Sequence, residues 1–456
     1  MLDERVIEGE EQGQGQAGGG TPRRFLLACW PFPGHIRPFL SLAVALREAG
    51  HSVAVYTGAS VAPLVEGEGL TCFPFAQVSE AGAYANIAAI DSVPQGGRPS
   101  SRLLLKIFRD WMIETIPAQI ADLQPLIDDW QPDVIVTETA MLGPTLVLWE
   151  RTGIPVAIQS TMLGCLIPGR DVPAPGFGLR PPRNTPERYF QQALVRLGGL
   201  AGRGLRRRVD AIRADYGLPP LRATVNEYGA RLPLYLIGSL PELDYERHDL
   251  PPSVHYVGPY HWEQANASAE EAPAWLASLP SDRPWVHVTE STLRYGDPFL
   301  LRTAVAALAG GPWEVILTTG KQRDPAELGL TIADNIHLAQ WIPHDALLPR
   351  CAAMISSGGA GTVLAALRAG IPQVIVPTTW DKPDNARRLA AAGAGLSLDP
   401  RRCTPDGLRA AVEEVTGESH YRSRSQELAR RLAAAPGPRR SVALLEAQVR
   451  SPRTVV

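Results

Sequence analysis

Residues 24–56 set the strongest constraint on this chain. A short apolar run, RFLLACW, passes through a small-residue loop, PFPGHIRP, into a helical repeat, FLSLAVALREAG, and then into a second apolar run, SVAVY. Two strands joined through a helix are expected to pair in parallel, because an antiparallel pair needs only a tight turn whereas a parallel pair needs a crossover. The alternation returns at DVIVT (133–137) and PVAIQS (155–160). It resumes with WVHVTES (285–291), WEVILTT (313–319), IHLAQW (336–341), AMIS (353–356) and QVIVP (373–377). Such a chain is α/β with parallel sheets, and its ligands bind beyond the carboxyl ends of the strands. At 456 residues it exceeds one ordinary core, so two α/β domains facing a cleft are expected. Proline, charge and small residues concentrate between 241 and 284, which marks the connection. The expected division is an extension over 1–22, a first domain over 23–245, a linker over 246–283, a second domain over 284–420 and a terminal helical segment over 421–456.

Composition removes several function classes. With 45% hydrophobic and 20% charged residues and a formal net charge of −3, the chain lacks the basic surplus of a generic nucleic-acid surface. No run approaches the ~20 unbroken apolar residues of a membrane span, so stable membrane insertion is not expected. The opening stretch MLDERVIEGEEQGQGQAGGGTPRR is acidic and glycine-rich and has no apolar signal-peptide core, which predicts a disordered extension on a cytoplasmic protein. Cys29, Cys72, Cys165, Cys351 and Cys403 are scattered without a C-x-x-C pair, as suits reduced thiols. No D-x-D, H-E-x-x-H or G-x-S-x-G occurs, so neither a carboxylate-held metal nor a serine nucleophile is supported.

The chemistry-bearing residues cluster at strand ends. In ISSGGAGTVLAALRAG (355–370) a strand runs through Ser357, Gly358, Gly359, Ala360, Gly361 and Thr362 directly into a helix. Glycines let the backbone approach a ligand, and the first helical amides lack internal partners, so even this uncharged loop suits a diphosphate. A plain tight strand–helix turn would read the same way. His35, in PFPGHIRP, is a candidate general base near neutral pH, or else a histidine bonded only to its own loop. Glu138, just past DVIVT, would orient and ionise such a base. Trp341 and Ile342, in QWIPHDALLPRC, offer a stacking platform for a base or simply a core tryptophan. PTTWDKPDNARRL gathers Asp381, Lys382, Asp384 and Asn385, whose carboxylates would accept hydrogen bonds from sugar hydroxyls; Asp384 equally suits a helix cap. Residues 168–186 form a loop long enough to be functional or mobile, and the basic stretch 202–218 reads as a solvated helix face.

In order and spacing these motifs resemble the family 1 nucleotide-sugar glycosyltransferases of the GT-B fold, and most of all bacterial enzymes that glycosylate antibiotics and other small natural products. The resemblance runs from residue 24 to about 416 and is strongest over 340–395, where WIPHDALL, SGGAGT, GIPQVIVP and WDKPDNA follow one another. It implies two Rossmann-like domains facing a cleft, with the acceptor held mainly by the N-terminal half and the donor by the C-terminal half. It implies His35 as the catalytic histidine, with Glu138 where the family usually has a supporting aspartate. Trp341 would stack on the nucleobase with the Ile342 backbone beside its edge. Ser291, Thr292 and the amides of Gly359, Ala360, Gly361 and Thr362 would meet the diphosphate, and Asp381 the sugar hydroxyls. Ser357, Gly358, Lys382 and Asn385 complete the implied donor site, and a terminal helix would cross back to the N-terminal domain.

Three positions depart from that pattern. Ser357 stands where a diphosphate-binding histidine is usual, Ala365 where a ribose-binding glutamate is usual, and Lys382 where a glutamine is usual. Without the glutamate, a thymidine-diphosphate sugar competes with a uridine-diphosphate sugar as donor. The implied reaction is an inverting, metal-independent transfer to a hydroxyl of a small, largely apolar natural product, with the nucleotide sugar as co-substrate and no cofactor. Its partners would be the nucleotide sugar and the acceptor, with no nucleic acid; a homodimer is left open. The rivals are a nucleotide-sugar epimerase or a lipid-carrier glycosyltransferase on the same fold, and a catalytically degenerate auxiliary partner of another glycosyltransferase. The acceptor pocket is expected from residues 73–111 and 161–189 and the aromatics and methionines in or near them, such as Phe108, Trp111, Met112, Met141 and Met162.

Overall fold

The computed structural model describes residues 21–92, 100–262, 272–290, 297–321 and 323–450. Ser291, Thr292 and residues 1–20 lie outside them. Among the described residues, strands β1 (Arg24–Ala28), β2 (Ser52–Thr57), β3 (Thr71–Pro74), β4 (Val134–Thr137), β5 (Val156–Ser160), β6 (Leu234–Ile237) and β7 (Val254–Tyr256) form one sheet. A second sheet is built from β8 (Trp285–Thr289), β9 (Glu314–Thr318), β10 (Ile336–Ala339), β11 (Cys351–Ser356), β12 (Gln373–Ile375) and β13 (Gly395–Ser397). Every pairing is parallel. Parallel sheets are covered on both faces, which is why the strands read as nearly unbroken apolar runs. Leu26, Ile135 and Val156 face Trp111 and Ile120 on one side, while Phe25, Leu27 and Val136 pack with Phe39, Leu42 and Leu46 on the other.

Strand order decides where a ligand can bind. The orders are β3-β2-β1-β4-β5-β6-β7 and β10-β9-β8-β11-β12-β13. Connections therefore diverge between β1 and β4 in the first sheet and between β8 and β11 in the second, and such switch points open a crevice at the carboxyl ends. Ala28 lies level with Thr137, and Thr289 with Ser356, so the residues after each pair emerge side by side.

Four details differ from the sequence-based expectation. PFPGHIRP is not all loop: the helix Pro33–Glu48 starts within it and carries Pro38 inside. A proline is tolerated at the first helical position, where its missing N–H would be unpaired anyway. The region 246–283 is not only a linker, because it contributes β7 to the first sheet. The segment 421–456 does not cross back as a whole. Leu428 and Leu432 of the helix Ser419–Ala434 stay with Val363 and Leu389 of the second half, and only Val442 and Leu445 join the core of the first. The change of partner happens at Gly437 (φ +55°), whose N–H bonds the Val257 carbonyl at 2.7 Å. Finally, the basic stretch is not only a solvated face. Arg213 is 2% exposed and bonds Glu150 at 3.0 Å and the Pro219 carbonyl at 2.8 Å.

All five cysteines are free thiols and four are buried. No helix among the described residues is long and apolar enough to cross a membrane.

Candidate active site

His35 sits on the first turn of the helix after β1, and Glu138 directly follows β4. Because β1 and β4 are neighbours, the two side chains meet: His35 Nδ1 bonds Glu138 Oε2. The other carboxylate oxygen accepts the Trp30 N–H at 2.6 Å. The Glu138 side chain is fully buried, whereas that of His35 is 19% exposed and reaches the cavity. A carboxylate on Nδ1 fixes that nitrogen as the donor and leaves Nε2 to take a proton. Burial opposes the charged imidazolium, but the charge of Glu138, its hydrogen bond and the charge of Asp381 outweigh this and hold the His35 pKa above its ordinary 6.5.

The loop after β11 is shaped by its glycines. Gly358 has φ +87°, and its N–H bonds Ser356 Oγ at 3.2 Å. Gly359 occupies the N-cap of the helix Ala360–Arg368 without any side-chain cap, so the first amides of that helix remain for a ligand. Ser357 is buried and donates to the Glu290 carbonyl at 3.3 Å, which ties this loop to the end of β8. A Cβ on Gly358 would lie 2.5 Å from Ile375 Cγ2, in the core. Gly358→Ala is therefore expected to cost roughly 2–3 kcal/mol from the left-handed backbone and overpacking. Gly361→Ala, with nothing within 4 Å of its added methyl, should stay within about 0.5 kcal/mol of wild type when both variants are compared by urea denaturation.

Asp381 stands at the start of the helix Lys382–Ala391, yet its side chain does not cap the helix. Instead Asn385 Nδ2 donates to Asp381 Oδ2 at 2.7 Å and to the Gly358 carbonyl at 2.9 Å, joining the two loops. Lys382 Nζ donates to Thr378 Oγ1 at 3.2 Å. Asp384 is not a helix cap either; it accepts the N–H groups of Gly176 and Gly178 from the other half of the molecule.

These groups share one cavity of about 2080 Å³ between the two sheets. Ordinary small-molecule pockets run to about 1,000 Å³, so this one has room for two ligands at once. His35, Trp341, Ile342, Ser357, Gly359, Ala360, Gly361, Thr362, Asp381, Lys382 and Asn385 line it; Glu138 and Gly358 stand directly behind. Phe108, Trp111, Met112 and Met162 line its N-terminal side, whereas Met141 is core. A smaller hollow of about 550 Å³ beside Trp341 and Lys321 holds none of the other site residues.

The sequence-based reading missed several lining groups. Arg37 Cζ and Lys321 Nζ lie 5.3 Å and 5.2 Å from the Trp341 ring centre, one from each half of the chain. The loop 355–370 has no cation near its start, but the cavity around it does. Arg37 lies in the same motif as His35, and nothing local distinguishes it from any surface arginine. Glu290, buried at the end of β8, accepts the Leu300 N–H at 2.8 Å and was likewise unremarkable in the sequence.

Comparison with known proteins identifies the family. Residues 302–448 match the model described as "Erythromycin biosynthesis protein CIII-like, C-terminal domain", and residues 34–229 match a "Glycosyl transferase 4-like domain". The 4'-demethylrebeccamycin synthase of Lentzea aerocolonigenes is 35% identical over 430 residues, covering 93% of this chain and 99% of that protein. The chain belongs to the natural-product glycosyltransferases. Its fold is GT-B: the glycosyltransferase of kitacinnamycin superposes with a TM-score of 0.73 at 23% identity, covering 94% of this chain and 100% of that one. A spinosyn rhamnosyltransferase, solved in complex with thymidine diphosphate, gives 0.65 at 22% identity, covering 93% and 100%. In this glycosyltransferase the cavity between the two sheets, with a histidine–carboxylate pair on one wall and a bare helix N-terminus on another, is the candidate active site.

Proposed function

We propose that this glycosyltransferase moves a sugar, with inversion and without a metal ion or other cofactor, from a thymidine-diphosphate donor to a hydroxyl of a largely apolar small molecule. The observation that carries the reading is the meeting of His35 and Glu138 on a cavity that also contains Asp381 and the amides after Gly359. His35 Nε2 takes the proton of the acceptor hydroxyl as its oxygen forms a bond to the anomeric carbon. The bond from that carbon to the diphosphate oxygen breaks on the opposite face. Glu138 stabilises the imidazolium that results. The charge released on the diphosphate is met by amides that already point there, so little reorganisation is needed in the transition state.

The donor assignment rests on Ala365 and Leu364, which line the cavity and offer no acceptor to a ribose hydroxyl. A solved neighbour that binds thymidine diphosphate adds support. The aromatic and methionine side chains around Trp111 support an apolar acceptor.

Thermal melts of the purified chain with a panel of nucleoside diphosphates test the donor. A ligand at one hundred times its Kd stabilises the folded state by about 2.7 kcal/mol, and thymidine diphosphate should give the largest shift. A larger shift with uridine diphosphate would reverse the donor assignment. Release of nucleoside diphosphate that needs an acceptor and no added partner is the expected activity. Turnover of the nucleotide sugar alone would point to an epimerase, a lipid-linked product to a carrier enzyme, and dependence on a second protein to an auxiliary subunit.

A further inference from the structure

The helix Lys382–Ala391 is gripped from both halves of the molecule. On one side Asn385 holds Asp381 and the Gly358 carbonyl. On the other, Asp384 accepts the Gly176 N–H at 2.6 Å and the Gly178 N–H at 2.8 Å, and Arg387 Nε donates back to the Gly178 carbonyl at 3.2 Å. Asp384 is only 7% exposed, so two amide hydrogen bonds to its carboxylate are strong and directional. Gly176 and Gly178 take φ +83° and +61°, which brings both amides onto one carboxylate. A Cβ on Gly178 would lie 2.9 Å from the Pro383 carbonyl oxygen, so the turn fits this helix only without a side chain. Phe177, between the two glycines, is half exposed and lines the same cavity as Phe108 and Trp111.

We propose that Asp384 is a positioning residue. Through its bonds to the turn of Gly176, Phe177 and Gly178 it holds Asp381 in register with His35. The inference rests on the donor-site reading of Asp381. It gives the loop 168–186 a role that its composition leaves open, that of a strap joining the acceptor side of the cavity to the donor helix.

The test compares Asp384→Ala, Asp384→Asn, Gly178→Ala and the double variant Asp384→Ala with Gly178→Ala. Misplacing a reacting group by about 1 Å costs up to about 100-fold, so Asp384→Ala should lower kcat by about 10- to 100-fold. The Kd for thymidine diphosphate should stay within about threefold. Asp384→Asn keeps an oxygen for one amide and should recover part of the rate. Gly178→Ala breaks the same contact from the other side, so the double variant should be no slower than the slower single one. Hydrogen–deuterium exchange on the same proteins without substrate should show Asp384→Ala speeding exchange at residues 172–180 and also at 377–381.

Three results would overturn the proposal: faster exchange confined to 172–180, equal losses in kcat and diphosphate affinity, or additive losses in the double variant. A wild-type chain without transferase activity would count against the proposed function alone, because the exchange measurements still decide whether Asp384 holds residues 377–381.

Discussion

His35→Ala is expected to lower kcat by roughly 10²–10⁴ while leaving the fold intact. Removing the ring takes away the proton acceptor but leaves Glu138 bonded to the Trp30 N–H at 2.6 Å. The vacated space opens onto the cavity, so water can reach the free carboxylate oxygen, and the loss in stability should stay within about 1–2 kcal/mol. The pH dependence gives an independent check. His35 must be neutral to accept a proton, and its pKa is held above 6.5, so kcat/KM should rise with pH along an acid limb centred above that value. Glu138→Gln removes the charge that raises the pKa and should move the limb to lower pH while lowering the plateau. A limb that stays in place would assign the titration to another group. The linkage to stability has the opposite sense. A folded-state pKa above the unfolded value contributes stability that is fully present below about 6.5 and is lost as pH rises through the folded pKa.

Asp244→Ala is expected to destabilise the chain by about 3–5 kcal/mol, read as a fall in the urea midpoint. Asp244 and Arg388 form an ion pair at 2.8 Å between the two halves, with side chains 3% and 7% exposed. Arg388 Cζ also lies 4.8 Å from the centre of the Tyr245 ring. Asp244 further accepts the Cys165 N–H at 2.6 Å and the Tyr256 hydroxyl at 2.5 Å. It also accepts the Tyr245 N–H at 2.8 Å, so its loss strands a buried guanidinium together with three donors, and each unpaired group carries its own desolvation cost. Burial by itself disfavours the charged guanidinium, but Asp244 outweighs it, and Arg388 holds its proton above the ordinary range. Adding Arg388→Ala should recover part of the loss, because the double variant no longer buries an unpaired charge. A loss below about 1 kcal/mol for Asp244→Ala would show that the pair is not the buried connection described here.

The legible parts of the site are the ones with local causes. The loop 355–370 could be read as an anion site because a strand, small residues and a helix start are adjacent in the chain. His35, Glu138 and Asp381 could be picked out because each lies at a strand end. Their mutual placement has no local cause. His35 and Glu138 are 103 positions apart and meet because β1 pairs with β4. Asp384 shows this most clearly. Its position near a helix start suggests a cap, yet its partners Gly176 and Gly178 lie more than two hundred positions earlier. Arg37 and Lys321 converge on Trp341 from opposite halves for the same reason.

By itself the sequence determined the α/β class, the two halves and the strand ends where chemistry would gather. These follow from the period of apolar residues and from glycine and proline placed near their own effects. The pairing of Glu138 with His35 is already expected from strand ends and resemblance; only the tertiary structure decided that Asp384 grips the other half of the chain and that Arg37 and Lys321 converge on one tryptophan. Those outcomes depend on strand order and on how the two sheets meet, and contacts between residues hundreds of positions apart leave no periodic trace in the sequence.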